Sequence, residues 1–135
     1  MRTIAVIEDD EPIGNLLEEA LRGEGYGVLR AYSGTEAQYL LAQHTPDLVL
    51  LDLMLPGRSG EELLPLLRGI PVIVVSAKAD IDAKVDALLG GAADYVTKPF
   101  ALKELLARVA VQLRGPVQGE KSCLIFQDLV LDPTA

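Results

Sequence analysis

The residues of this 135-residue sequence that are best suited to chemistry stand directly after short apolar runs. Four consecutive acids, at positions 8–11, follow the first run, and Asp52 follows the run at 48–51. Ser76 and Lys98 end two later runs in the same way. If the runs are parallel strands of one sheet, their carboxyl ends meet at one edge and bring these side chains together.

A cluster of carboxylates needs cations, because like charges repel one another at short distance. Oxygen ligands without a nearby histidine or cysteine favour a hard divalent cation, for which Mg²⁺ is the best candidate. Lys98 adds positive charge, so the site suits a group with several anionic oxygens, such as a transferring phosphoryl group. Asp52 is the candidate nucleophile, since a carboxylate can itself be phosphorylated. The alternative is that residues 8–11 form a solvated acidic loop that caps the first helix.

Five short apolar runs predict the strands that position these residues. They are Thr3–Ile7, Gly27–Ala31, Leu48–Leu51, Val72–Val75 and Tyr95–Thr97. Because the strongest runs are continuous rather than alternating, we expect strands that are buried on both faces, as in a parallel sheet covered by helices.

Segments with helical spacing separate these runs. The predicted helices begin at Pro12 and end before Gly23, cover Thr35–Gln43, begin at the Ser59–Glu62 capping box, and cover Asp82–Leu89 and Leu102–Leu113. Pro65 should kink or shorten the third helix. Strand–helix alternation repeated five times predicts an α/β fold with a doubly wound sheet.

Composition limits the classes of function. The net charge of −8 disfavours direct binding of nucleic acid by the folded part and suits cations or basic protein partners. A single cysteine, Cys123, excludes an internal disulfide and a zinc site built from cysteines. The sequence has no signal-peptide layout and no apolar run of membrane-spanning length, so we expect a soluble, cytoplasmic protein without membrane contact.

Four segments together resemble the signature motifs of response-regulator receiver domains. They are Ile7–Glu11, Leu51–Gly57, Val75–Ala77 and Asp94–Phe100, in the order and with the separations of that family. The resemblance implies a five-stranded parallel, doubly wound sheet of the flavodoxin-like, CheY-like (βα)5 type. It also implies a place in two-component signal transduction, with a sensor histidine kinase as partner. Such a protein is not an enzyme but a phospho-acceptor that promotes its own phosphorylation and dephosphorylation.

The resemblance carries metal-binding and acceptor roles to the matching positions. Asp52 would be the phospho-acceptor. Asp9 and Asp52 would ligate Mg²⁺ directly, together with the backbone carbonyl of Met54. Glu8 would assist through water.

The remaining motif residues would contact the phosphoryl group or change conformation in response to it. Ser76 would hydrogen-bond its oxygens, and Lys98 would form an ion pair with them. Tyr95 would be the aromatic switch that turns inward once Ser76 moves toward the phosphate. The Lys98–Pro99 bond is expected to be cis, which fixes the approach of the lysine.

The end of the sequence predicts a further domain. Residues 124–133 resemble the opening strand of the winged-helix DNA-binding domain in the OmpR/PhoB subfamily of transcription regulators. We therefore expect a receiver domain at 1–115, a linker at 116–122 and, at 123–135, the first strand of a truncated DNA-binding domain. DNA would be bound only through the missing remainder of that domain. The alternative is a stand-alone receiver.

Subfamily membership also implies a homodimer through the fourth helix, fifth strand and fifth helix. Its charged interface residues would be Lys84, Asp94, Glu104 and Arg108, with Lys84–Glu104 and Asp94–Arg108 as the pairs. Leu89 and Ala110 depart from the family, which often has a further acid and base there. One ion pair is thus expected to be replaced by an apolar contact.

Other functional classes fit less well. A flavodoxin-type cofactor binder needs a phosphate loop after the first strand, where this chain has acids. A haloacid-dehalogenase-type phosphatase needs a second aspartate at the position of Met54, and a P-loop enzyme needs a Gly-x-x-x-x-Gly-Lys motif that the sequence lacks. An atypical receiver that is never phosphorylated and acts as a docking module is the non-catalytic alternative. The complete set of Asp9, Asp52, Ser76 and Lys98 disfavours it.

Overall fold

The structure, a computed structural model, describes residues 2–57 and 59–114. Its strands and α-helices alternate along the chain as β1 (Thr3–Ile7), α1 (Glu11–Gly23), β2 (Gly27–Ala31), α2 (Gly34–Gln43), β3 (Leu48–Leu51), α3 (Gly60–Leu63), β4 (Val72–Ser76), α4 (Ile81–Leu89), β5 (Asp94–Thr97) and α5 (Leu102–Arg114). None of the helices in these ranges is long and apolar enough to cross a membrane. The linker and winged-helix strand predicted at 116–135 lie outside the described residues.

The five strands form one parallel sheet in the order β2-β1-β3-β4-β5. This is the predicted doubly wound, flavodoxin-like arrangement. The chain reverses its direction of travel across the sheet between β1 and β3, and a crevice opens at the carboxyl ends of strands at such a reversal. The residues that follow β1 and β3 therefore share this crevice.

Two apolar layers cover the faces of the sheet. On one face, Ala5, Ile7, Val49, Leu51 and Val74 pack against buried residues of α2, α3 and α4. The other layer joins strand residues to α1 and α5; its members include Ile4, Val6, Leu48, Leu50, Leu17, Leu21, Leu105 and Val109. Burial on both sides explains why these strands are continuous apolar runs.

Helix-capping residues explain two of the boundaries at which the structure differs by one residue from the prediction. α2 begins at Gly34 and α4 at Ile81, each one residue before the predicted start. The side chains of Ser33 and Asp80 accept hydrogen bonds from the first turns of these helices and thereby set their starts.

The short third helix behaves as its sequence predicts. The Ser59–Glu62 capping box is present, with Ser59 N donating to Glu62 Oε1 at 3.0 Å. Pro65 lies in a 3₁₀ helix, Leu64–Leu67, that follows the four residues of α3. The α-helix therefore ends where the proline would remove a backbone donor.

Candidate functional site

Three carboxylates meet at the carboxyl edge of the sheet. Oxygen atoms of Glu8, Asp9 and Asp52 all lie within 4.8 Å of one another. Glu8 is 3% exposed and Asp52 is 5% exposed, whereas Asp9 is open to solvent. The backbone holds the buried pair in place, because Asp52 N donates to the Ile7 carbonyl at 3.0 Å and Glu8 N donates to the Ala31 carbonyl at 3.0 Å.

Lys98 bridges the two buried acids. Its Nζ lies 2.8 Å from Glu8 Oε1 and 3.0 Å from Asp52 Oδ2. The Lys98–Pro99 bond is cis, which confirms the prediction, and Lys98 N donates to the Ser76 carbonyl at 2.9 Å. The backbone after β5 is therefore tied to the end of β4, and the lysine side chain points across β3 to β1.

Burial and hydrogen bonds act in opposite directions on the pKa values of Glu8 and Lys98. Desolvation raises the pKa of Glu8 to about 7, against the lowering effect of its hydrogen bonds with Lys98 and the Asp10 backbone. The charge of Asp52 raises it further. Burial lowers the pKa of Lys98, but its hydrogen bonds with Glu8 and Asp52 outweigh that effect and leave the pKa above its ordinary value. One ammonium thus serves two buried carboxyl groups, and the site is short of positive charge.

This donor set fits a hard divalent cation. All three side chains offer oxygen, which Mg²⁺ prefers, and a cation would offset the excess of negative charge. Met54 lies next to the cluster, since its N–H donates to Asp52 Oδ1 at 3.0 Å while its side chain is exposed. The part predicted for its carbonyl stays a prediction.

Ser76 and Tyr95 lie on the other side of Asp52 and meet at Lys78. Ser76 is fully buried, and its Oγ accepts a hydrogen bond from Lys78 N at 3.3 Å. The Tyr95 hydroxyl donates to the Lys78 carbonyl at 2.7 Å. Burial raises the pKa of Tyr95, and a hydrogen bond with Ser76 partly opposes this effect. Sequence reasoning missed Lys78, whose only signal was its place two residues after Ser76.

Two glycines let the loop after β3 fold back over Asp52. A Cβ atom on Gly60 would lie 2.5 Å from the Asp52 carbonyl oxygen and 2.6 Å from Leu53 Cα. Gly57 has a φ of 77°, a conformation that favours glycine, and a Cβ there would lie 2.7 Å from Thr35 Oγ1. Gly60 was also missed, because a close backbone approach leaves no mark on hydrophobic periodicity.

The predicted dimer residues lie on one surface of α4, β5 and α5. Arg108 forms ion pairs within its own chain, with Asp94 at 2.8 Å and with Glu104 at 2.8 Å. Lys84 lines the same surface depression as Glu104 and Arg108, but the described residues contain no ion pair between Lys84 and Glu104. Contacts between two chains stay a prediction.

Apolar side chains stand exposed on α4 beside this charged surface. They are Ile81, Val85, Leu88 and Leu89, of which Leu89 is 82% exposed. Leu89 is the residue that we expected in place of a family acid, and an apolar contact between chains through it stays a prediction.

Comparisons with known proteins agree on one family. A family model described as "Response regulator receiver domain" matches residues 4–110. The BeF3-activated N-terminal receiver domain of RstA from Klebsiella pneumoniae is 34% identical, with a TM-score of 0.79 over 84% of this chain and 99% of that one. The non-phosphorylated HemR receiver domain from Leptospira biflexa is 33% identical, with a TM-score of 0.80 over 84% and 95%. A CheY-like receiver domain protein from Methanospirillum hungatei JF-1 is 30% identical, with a TM-score of 0.79 over 84% and 94%.

Proposed function

This chain belongs to the response regulator receiver domain family of two-component systems, and we propose that Asp52 accepts a phosphoryl group from a sensor histidine kinase in the presence of Mg²⁺. The observation that carries the proposal is the buried Asp52 carboxylate between an acidic cluster and Lys98. A rigid strand end presents the nucleophile, and fixed charges surround the place where a phosphoryl group would arrive.

In the proposed reaction, a carboxylate oxygen of Asp52 attacks the phosphorus of a phosphohistidine. The P–N bond breaks, its electron pair returns to the imidazole, and Asp52 becomes an acyl phosphate. Lys98 pairs with the anionic oxygens, and Ser76 Oγ donates a hydrogen bond to one of them. Bound Mg²⁺, held by Asp9, Asp52 and the Met54 carbonyl with Glu8 assisting through water, would neutralise charge on the transferring group. The protein is thus a phospho-acceptor that promotes its own reactions rather than an enzyme with a separate substrate.

The proposed response passes through Ser76 and Tyr95. When Ser76 turns toward the phosphoryl group, Tyr95 follows inward and changes the surface of α4, β5 and α5. That surface then forms a homodimer, in which the exposed Leu89 contributes apolar contact and Arg108 contributes charge.

We place the chain in the OmpR/PhoB subfamily, acting in the cytoplasm through a C-terminal DNA-binding domain. Support comes from the winged-helix resemblance of residues 124–133 and from the 34% identity with RstA, whose receiver is described as N-terminal. The dimer would then bring two DNA-binding domains to one operator.

Phosphorylation is tested by incubation with Mg²⁺ and acetyl phosphate, followed by intact-mass measurement. We expect the wild type to gain one phosphoryl group and Asp52→Asn to gain none. Asp86→Asn, at an exposed position on α4, is the matched control and should be phosphorylated like the wild type. An unmodified wild type, or equal modification of Asp52→Asn, would refute the proposal.

Dimerisation is tested by light scattering with Mg²⁺ and beryllofluoride. The wild type should become a dimer, and Arg108→Glu should stay a monomer because the reversed charge repels Asp94 and Glu104 of either chain. A wild type that stays monomeric with the phosphate mimic bound, or a dimer unaffected by the charge reversal, contradicts this part of the proposal.

A further inference from the structure

An ion pair joins α3 to the loop after β4, two segments that the proposed reaction does not use. Lys78 Nζ in the loop after β4 lies 3.0 Å from Glu61 Oε2 in the first turn of α3. The side chains are 38% and 46% exposed, respectively. The hydrogen bond with Glu61 raises the pKa of Lys78, so the lysine keeps its positive charge through the physiological range.

Lys78 also contacts both proposed switch residues, Ser76 and Tyr95. Its backbone N–H donates to Ser76 Oγ, and its carbonyl accepts from the Tyr95 hydroxyl. All three polar groups of one residue are thus engaged, each by a different element: β4, β5 and α3. The ion pair thus ties to α3 the same residue whose backbone contacts Ser76 and Tyr95.

The other end of the ion pair is firmly placed. Gly60, directly before Glu61, donates its N–H to the Leu53 carbonyl at 3.1 Å and packs against the backbone of Asp52. The adjacent Ser59–Glu62 capping box fixes the first turn of α3. Glu61 therefore stands on a rigid support tied to the acceptor strand, whereas Lys78 stands on a loop.

From these contacts we propose that Glu61 and Lys78 are positioning residues: their ion pair anchors the loop after β4 to α3 and thereby favours the conformation in which Tyr95 is bonded to the Lys78 carbonyl. The inference rests on the proposed function in assigning that conformation to the phosphorylated state. Breaking the pair should weaken both the Tyr95 contact and the binding of a phosphate mimic.

The direction in which Glu61→Gln changes the affinity for a phosphate mimic distinguishes this proposal from a purely electrostatic effect. Removal of a negative charge near an anion site should strengthen the binding of an anion if only Coulomb forces act. Loss of the anchor predicts the opposite, a weaker affinity in Glu61→Gln. An exposed pair of this kind is worth little, so we expect a loss of about two- to fivefold.

The first measurement is the affinity for beryllofluoride with Mg²⁺, by titration calorimetry. Glu61→Gln and Lys78→Gln should each bind about two- to fivefold more weakly than the wild type. The charge swap Glu61→Lys with Lys78→Glu should restore most of the affinity. Glu19→Gln and Lys103→Gln, at exposed positions on α1 and α5, are matched charge controls and should bind as the wild type does.

The second measurement follows Tyr95 in the ligand-free protein, by fluorine NMR with fluorotyrosine. The chain has four tyrosines, and Tyr95→Phe assigns the signal. Glu61→Gln and Lys78→Gln should move the Tyr95 signal toward its solvent-exposed position, and the charge swap should return it.

The outcomes distinguish the inference from the proposed function. A wild type that does not bind beryllofluoride refutes the phosphate site, and the ligand-free Tyr95 signal still decides the role of the ion pair. Tighter or unchanged binding in Glu61→Gln, an unmoved Tyr95 signal, or a charge swap that restores nothing would overturn the inference.

Discussion

Removal of the Lys98 ammonium should destabilise the metal-free protein strongly. Lys98→Met keeps the apolar stem but leaves the buried Glu8 and Asp52 carboxyl groups without their shared partner. Loss of one partner from a buried ion pair costs about 3–5 kcal/mol. Glu8 can escape part of this cost by protonation, because its pKa is already about 7. We therefore expect the lower end, about 3 kcal/mol, at pH 8.

The assay is urea unfolding without divalent cations, at pH 6 and at pH 8. The loss of unfolding free energy caused by Lys98→Met should be smaller at pH 6 than at pH 8. At pH 6 Glu8 holds its proton in both the wild type and the variant, so the substitution leaves one buried charge fewer without a partner. Lys103→Met removes an exposed lysine of α5 and should change the free energy of unfolding by less than about 0.5 kcal/mol. Added Mg²⁺ should stabilise Lys98→Met more than the wild type, since its acids have no competing ammonium.

Two results would refute this reasoning. A change in the unfolding free energy below about 1 kcal/mol at pH 8 would show that the Lys98 contacts are not those of a desolvated pair. An equal penalty at pH 6 and pH 8 would show that Glu8 does not titrate in this interval.

Two further predictions follow from the same site. The metal-free wild type should lose stability as the pH rises from about 4.5 through about 7, because the pKa of Glu8 is raised in the folded chain. In this interval the folded chain holds a proton on Glu8 that the unfolded chain has released. Glu8→Gln should flatten this pH dependence of the free energy of unfolding in urea, and an unchanged slope would contradict the prediction. Gly60→Ala should destabilise the fold by about 2 kcal/mol or more, since its Cβ meets the backbone of Asp52 and Leu53. Gly23→Ala, where a Cβ meets nothing, is the matched control, and equal thermal shifts in the two variants would contradict the close approach.

The sequence was sufficient to predict the strands and the acidic site, because both depend on local order. Continuous apolar runs identified the buried strands, and the position of Asp52 and Lys98 directly after two of them placed both at one edge. The Lys78 contacts could not be predicted in this way. Lys78 contacts Glu61 and Tyr95, each 17 positions away in the sequence, and only the fold brings these residues together.

The contacts of Arg108 were also not fully predictable from the sequence. Sequence marked it as a partner of Asp94 across a dimer, but not as a partner of Asp94 within one chain. In the folded chain it pairs with Asp94 of the adjacent strand and with Glu104 one turn earlier. A dimer that uses Arg108 between chains must therefore compete with contacts inside each chain, and these exposed pairs are worth less than about 1 kcal/mol each.

The acids and the loop after β4 are held with different strength, and this difference suits a switch. The acids follow β1 and β3, which pair with a strand on each side, and the backbone of Glu8 and Asp52 is hydrogen-bonded to neighbouring strands. The loop that follows Ser76 is held by a 3.3 Å hydrogen bond, one tyrosine hydroxyl and an exposed ion pair. Contacts this weak let the loop leave this conformation while Asp52 carries no phosphoryl group, and a new group on Asp52 would favour its return. A receiver built in this way keeps its acceptor fixed while the Lys78 loop and Tyr95 move.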